Sequence, residues 1–203
     1  MGNNENNYHY LDPDYKYSDK NGLLHNLANI QDENVLLAFE SLKVAKRIEE
    51  LYKNPIKIKN SETLLKIHHH LFQDVYEWAG QVRTVNISKD GKPFFNGERF
   101  NIGFKYIDTL ISDYRRIKKS NMKQLANQLA IILDHVNYLH PFRDGNGRTQ
   151  REFLRLLALE KDLTLNLNPP DDNSIYERYM SGTIESDVNT LAELIFELIE
   201  RQE

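Results

Sequence analysis

In the stretch HPFRDGNGRTQR, residues 140–151, a histidine, an aspartate, a Gly-Asn-Gly run and three arginines fall close together. Asp144-Gly145-Asn146-Gly147 is a tight-turn sequence, and helical periodicity begins after it. A glycine-rich loop feeding a helix N-terminus presents backbone N–H groups with no intrahelical acceptor, and such a concavity binds anions, phosphate above all. Arg148 and Arg151 are spaced i, i+3, so both leave one face of the helix start and can reach one polyphosphate. Asp144 alone would repel that ligand; with Mg²⁺ it becomes a metal anchor beside phosphate oxygens. His140, with an ordinary pKa of about 6.5, can take a proton from a hydroxyl at neutral pH. Base, metal ligand, amide nest and two guanidinium groups together describe phosphoryl or nucleotidyl transfer to a hydroxyl. Taken singly, these residues have a plainer reading, because His-Pro followed by DGNG also serves as a turn between two helices.

Such groups need rigid elements to place them. Behind an N-cap at Asp32, the residues Val35, Leu36, Phe39, Leu42, Val44, Ile48 and Leu51 follow helical spacing, and Pro55 stops the pattern. A second helix is expected from Ser61-Glu62-Thr63, carrying Leu64, Leu65, Ile67 and Leu71 towards Trp78. The stretch RTVNISKDGKPFF, residues 83–95, breaks that rhythm with β-branched residues around Asp90-Gly91, the signature of a short β-hairpin. Helical periodicity resumes over 100–117, 122–139 and 147–161, with shorter helices over 174–180 and 188–200. Residues 1–30, rich in Asn, Asp and Tyr, read as an irregular arm draped on the surface, with Leu23, Leu24 and Leu27 as its anchors. The fold class expected is mainly α, one domain over residues 31–203 with one inserted hairpin. An isolated two-stranded ribbon is marginal in water, so the hairpin must pack on helices or serve a partner.

Composition bounds the function classes. The chain has 203 residues, 40% of them apolar and 28% charged, as in a soluble globular protein. Its net charge of −4 argues against broad nucleic-acid binding, and the basic run Arg115-Arg116-Ile117-Lys118-Lys119 fits a solvated helix end. Apolar runs are short and broken by charge, so neither a membrane span nor a secretory signal is expected. The absence of cysteine excludes disulfides and thiolate catalysis and fits a reducing cytoplasm. Neighbouring helical residues point about 100° apart, so His68, His69 and His70 cannot share one metal and read as structural. The eleven tyrosines read as surface or core residues, a few of them as self-modification sites.

Residues 140–151 closely resemble the signature of the Fic family, His-Pro-Phe-x-Asp/Glu-Gly-Asn-Gly-Arg-x-x-Arg, matching it at every specified position. Upstream, LFQDVYEWAGQVRTVNISKD looks like the family's helix leading into its flap hairpin, and the likeness spans most of residues 30–200. The resemblance implies a helical domain that transfers AMP from Mg-ATP to a Ser, Thr or Tyr hydroxyl of a target protein. It makes His140 the general base and Asp144 the Mg²⁺ ligand. Amides around Gly145 and Gly147, with the Asn146 side chain, would bind the α-phosphate. Arg148 would orient the β-phosphate and Arg151 the γ-phosphate. Phe142 reads as a core anchor for the loop. Lys89, Asp90, Gly91, Lys92 and Phe94 would form the flap that clamps the nucleotide and registers an extended target segment.

Many members of the family are held off by a helix bearing Ser/Thr-x-x-x-Glu-Gly/Asn, whose glutamate pairs with the second motif arginine. The nearest stretch here, residues 181–186, ends in Ser where Gly or Asn belongs, and Glu185 reads as structural. The arm YLDPDYKYSDKNGLLHNLANIQDENVL resembles that of Fic toxins restrained by a separate antitoxin, which is the partner expected; the alternative is an inhibitory helix beyond residues 1–203. Action is expected in the bacterial cytoplasm, or in a host cytosol for a secreted effector. Three other readings stand beside AMP transfer: a Fic-fold kinase, transfer of another nucleotide, and a catalytically silent binding module.

Overall fold

The spacing of apolar residues sets seven helices in the computed structural model, which describes residues 8–10, 12–89, 91–169 and 171–201. Helix α1 spans Glu33–Lys53, and the Asp32 carboxylate accepts from the Val35 N–H as its N-cap. The face it buries is Leu36, Glu40, Val44 and Leu51, spaced one or two turns apart, while Val35 and Leu42 point to solvent. Helix α2, Thr63–Phe72, is shorter than expected and ends well before Trp78. The chain turns there through Gly80 (φ +81), where a Cβ would press within 2.9 Å of the Leu65 carbonyl. No side chain of Ser61-Glu62-Thr63 caps α2: Ser61 Oγ donates to the Phe104 carbonyl, and Thr63 Oγ1 accepts from the Lys59 N–H.

Helices α3 (Phe100–Arg116) and α4 (Met122–Leu139) lie close to their expected ranges. Helix α4 is central, burying Leu125, Leu129, Ile132, Leu133 and Val136 against α3, α5 and α7. Helix α5, Asn146–Leu159, is enclosed nearly throughout and packs on α2 and α4. Helix α6 runs Asn173–Glu185, a turn longer than its apolar pattern, because Ser186 ends it in a left-handed conformation (φ +57). Helix α7, Val188–Leu198, completes the bundle. Among the described residues no helix is long and apolar enough to cross a membrane.

The arm departs from its expected irregularity. Its residues Tyr8–Tyr10 form strand β1, which pairs antiparallel with β2 (Ile87–Lys89), and β2 pairs antiparallel with β3 (Lys92–Pro93). The hairpin is therefore the centre and one edge of a three-stranded sheet, and the extra strand answers the marginal stability of a bare ribbon. The rest of the arm is fastened by side chains: Tyr17 is buried, and Leu23 and Leu24 pack on the core. Leu27 does not anchor it as expected; the side chain is exposed, and its backbone N–H bonds the Val75 carbonyl instead. A second small ribbon, β4 (Leu163–Thr164) with β5 (Glu200–Arg201), joins the end of α5 to the chain's C-terminal segment.

Candidate active site

Proline after His140 bars the α conformation, so α4 ends there and His140 takes a left-handed backbone (φ 43°, ψ 59°). The His140 ring is buried and stacks on Phe94, centroids 3.8 Å apart. Its Nδ1 lies 3.2 Å from the Asn137 carbonyl, which can only accept, so Nδ1 carries the proton and Nε2 is the basic nitrogen. Burial pushes the imidazole down to about 3, aided by the positive charges of Arg83 and Lys89, so it is neutral near neutral pH.

The loop after it is locked from within. Phe142 is buried, stacks on the His68 ring at 3.8 Å and anchors the turn as expected. Asn146 Oδ1 accepts from the Phe142 N–H, and its Nδ2 donates to the Phe142 carbonyl. The Asn146 side chain, expected on phosphate, is thus committed to bracing the loop. Gly145 stands at φ +76, and a Cβ there would lie 2.4 Å from the Phe72 ring, so only glycine fits. Helix α5 starts at Asn146, and its first-turn N–H groups face the loop's concavity with the positive end of the helix dipole behind them.

Charge is distributed around that nest. The Asp144 carboxylate accepts from the Gly145 N–H and lies 3.4 Å from the Arg148 guanidinium. Arg148 pairs with Glu40 at 2.5 Å. Burial works against the charge on Arg148, and Glu40 with Asp144 more than offsets it, leaving its pKa raised. Arg151 stands over the rings of Tyr176 and Tyr179, each 5.4 Å away. His140, Asp144, Gly145, Asn146, Gly147, Arg148 and Arg151 all line one cavity of about 660 Å³. Every motif residue expected to touch substrate therefore meets there. Glu185 is exposed at the end of α6 and is not among the lining residues.

The flap divides. Phe94 makes the ring contact with His140, and Lys89 acts on it through charge. Gly91 (φ +75) and Lys92 are exposed at the turn, and Asp90 lies outside the described residues. Both legs of the hairpin are tied to α4 by one buried side chain that its sequence context did not single out. Arg83 donates Nε to the His140 carbonyl at 2.8 Å and its two terminal nitrogens to Val85 and Phe95 carbonyls at 2.7 and 2.6 Å. Desolvation lowers its pKa to about 10.

Glu40, Tyr76 and Tyr10 also line the cavity and were not read as site residues. The Tyr76 hydroxyl donates to the Glu40 carboxylate that holds Arg148. The histidine run is structural, as its spacing implied. His68 accepts from the Gly80 N–H at 2.8 Å and donates Nε2 to the Asp144 carbonyl at 3.0 Å. His69 and His70 bond the Ala79 and Arg47 carbonyls.

A Mg²⁺ ion bound through one or two carboxylates plus substrate phosphates needs no protein cage. Among the described residues no cluster of three or more His, Asp or Glu could hold a metal alone, whereas Asp144 is partly exposed beside the anion nest. This donor set fits a cation that arrives with phosphate.

Residues 58–158 match the model of the Fic/DOC family. The chain is 34% identical over 152 residues to the protein adenylyltransferase VbhT of Bartonella schoenbuchensis, covering 74% of this chain and 30% of that protein. It is 32% identical over 177 residues to the probable protein adenylyltransferase y4lH of Sinorhizobium fredii, covering 87% of this chain and 89% of that one. This chain thus spans less than a third of the first relative and nearly all of the second. Among solved structures, the N-terminal Fic domain of a VirB-translocated Bep effector of Bartonella quintana, with bound ADP, superposes with a TM-score of 0.80 at 22% identity, over 93% of this chain and 96% of that one. BepC of Bartonella tribocorum, with bound AMPPNP, gives 0.77 at 21% identity, over 89% and 93%. The same mainly helical fold with a small hairpin is shared with both, and by sequence and motif the chain belongs to the Fic/DOC family.

Proposed function

We propose that this protein moves AMP from Mg-ATP to a Ser, Thr or Tyr hydroxyl of a target protein. The observation that carries the reading is the convergence of a neutral histidine, a carboxylate and the arginine-flanked first turn of α5 on one cavity. Its relatives of 34% and 32% identity bear the name protein adenylyltransferase, which supports the same class of reaction here.

The roles proposed for the site residues are supported by their places around the cavity. The triphosphate lies along the nest, with backbone N–H groups of Gly145, Asn146 and Gly147 toward the α-phosphate and Arg148 and Arg151 toward the β- and γ-phosphates. Asp144 would hold Mg²⁺, which when bound neutralises phosphate charge and polarises the phosphoryl oxygens. His140 Nε2 accepts the proton of the target hydroxyl as its oxygen approaches the α-phosphate, and pyrophosphate departs. An extended target segment is registered by pairing with the flap, where it takes the edge of β2 that β1 occupies in this structure. A separate inhibitory partner would present a carboxylate to Arg151, whose guanidinium sits against aromatic rings in this chain.

Labelled ATP decides between transferases. With label at the α-phosphate, His140-dependent transfer to protein is expected, and His140→Ala lowers it by about 10²–10⁴-fold. Transfer of label from the γ-phosphate instead would make the protein a kinase, and absence of His140-dependent transfer to any acceptor would leave a binding module.

A further inference from the structure

The edge of β2 that a target would take is already filled, and its occupant belongs to this chain. Strand β1 lies antiparallel to β2, with His9 opposite Ser88 and Tyr10 opposite Ile87. The sheet's other edge is β3, where Pro93 has no N–H to offer a ladder. Half-buried Tyr10 stands on the wall of the cavity that holds His140 and Asp144, and the Arg143 guanidinium lies 3.3 Å from its ring centroid. Arg143 is 6% exposed, and its Nε has no hydrogen-bond partner among the described residues. Glu40 and Asp144, carboxylates of the same cavity, pair with Arg148 instead. A buried cation without a carboxylate is costly, and the ring face of Tyr10 is the contact that Arg143 gains while the arm is docked.

We infer that the arm is a latch on target access: β1 fills the β2 edge, Arg143 holds it there through Tyr10, and a target segment pairs only when the arm has left. The inference rests on the reading above and names a regulation of that site. The latch acts on one substrate and not the other, because the cavity of about 660 Å³ at the start of α5 persists with the arm docked. Release is local. From Asp12 onward the arm is fixed independently of the flap edge: the Asp12 carboxylate accepts from the Lys16 and Tyr17 N–H groups, and the buried Tyr17 takes the Thr84 N–H on its hydroxyl. A three-residue strand makes few ladder bonds, so the Arg143 contact weighs heavily in the balance between docked and released arm. The apparent affinity for a target is lowered by the fraction of chains whose arm is released.

The chain has no cysteine, so His9→Cys with Ser88→Cys places one disulfide across the β1–β2 pair and fixes the arm on its edge. The full chain is assayed oxidised and reduced, with Mg²⁺, ATP labelled at the α-phosphate and a bacterial soluble extract as acceptor. Expected is label on the extract's proteins at least about tenfold lower in the oxidised form, restored by reductant, with AMPPNP affinity equal in both forms by calorimetry. Arg143→Met acts in the opposite sense, raising transfer about tenfold over the parent and speeding hydrogen exchange over Tyr8–Tyr10. Equal transfer by the oxidised and reduced forms overturns the inference and leaves AMP transfer standing. An oxidised form that binds AMPPNP more weakly overturns it too, since the arm would then close the nucleotide site. Transfer and exchange in Arg143→Met no faster than in the parent show that Arg143 does not hold the arm and overturn the latch. Label on no extract protein, from the parent or the reduced variant, removes AMP transfer and this inference together.

Discussion

At the scale of single residues, the site depends on an acidic side chain that the motif does not contain. Glu40 sits one turn from Leu36 and one from Val44 on the buried face of α1, and the residue is 5% exposed. It takes the Tyr76 hydroxyl and the Arg148 guanidinium together. A buried carboxylate is tolerated only when paired, and here the pairing also fixes where Arg148 points. Replacing it by alanine strands both donors. Glu40→Ala is therefore expected to destabilise the fold by about 3 kcal/mol, within the range for breaking a buried pair. Glu40→Gln, which keeps an acceptor for Tyr76, should recover part of that loss. Urea denaturation of the two variants against the parent checks it; a Glu40→Ala midpoint equal to the parent's would show that Arg148 is positioned by something else. The spacing of apolar residues in α1 gave no hint of this role, because a lone Glu within a charged amphipathic helix ordinarily faces solvent.

At the scale of elements, legibility followed how local the determining interactions are. Helices α3 and α4 have strong periodicity, and α4 runs into Pro141, so their bounds were readable. The anion nest was readable for the same reason, since Pro141, Gly145 and Gly147 act within their own turn. What escaped was set by contacts distant in sequence. Strand β1 exists because β2 offers it an edge nearly eighty residues on, and β4 exists because β5 reaches it from the far end of the chain. Arg83 is the case with the largest consequence. A basic residue before a hairpin looks solvated, yet it is buried and joins both hairpin legs to the carbonyl of His140. Arg83→Met keeps much of the volume and strands three carbonyl acceptors. At about 1 kcal/mol or more for each unsatisfied group, a loss on the order of 3 kcal/mol is expected. Hydrogen exchange should then accelerate over β2 and β3 while α7 is unchanged at the residue level relative to global stability. Equal acceleration in both would mean that Arg83 supports the whole core and not the flap.

At the scale of the whole molecule, the site is built into the core, so its protonation is tied to folding. His68 stacks on Phe142 and His140 on Phe94, both histidines are buried, and burial pushes each imidazole down to about 3. His68 is further held neutral by accepting the Gly80 N–H while donating to the Asp144 carbonyl. In the unfolded chain both titrate at about 6.5. Between those values the unfolded state binds more protons than the native state, so stability rises with pH across this window. The stabilisation is fully present above about pH 6.5 and is lost progressively as the pH falls towards about 3. At about pH 5 the unfolded state of each histidine is favoured by roughly 2 kcal/mol, or about 4 kcal/mol for the pair, a large share of the 5–15 kcal/mol typical of a domain. A variant isolates one contribution: His68→Gln cannot titrate, and it should lose about 2 kcal/mol less than the parent between about pH 7 and about pH 5 in urea denaturation. If parent and variant lose the same stability over that interval, His68 is charged in the native state and its two hydrogen bonds do not hold it neutral. Catalysis should follow the native-state value of His140, so kcat/KM for transfer stays level through pH 6.5 while the protein remains folded, and acid inactivation coincides with unfolding rather than with titration of a solvent-exposed imidazole.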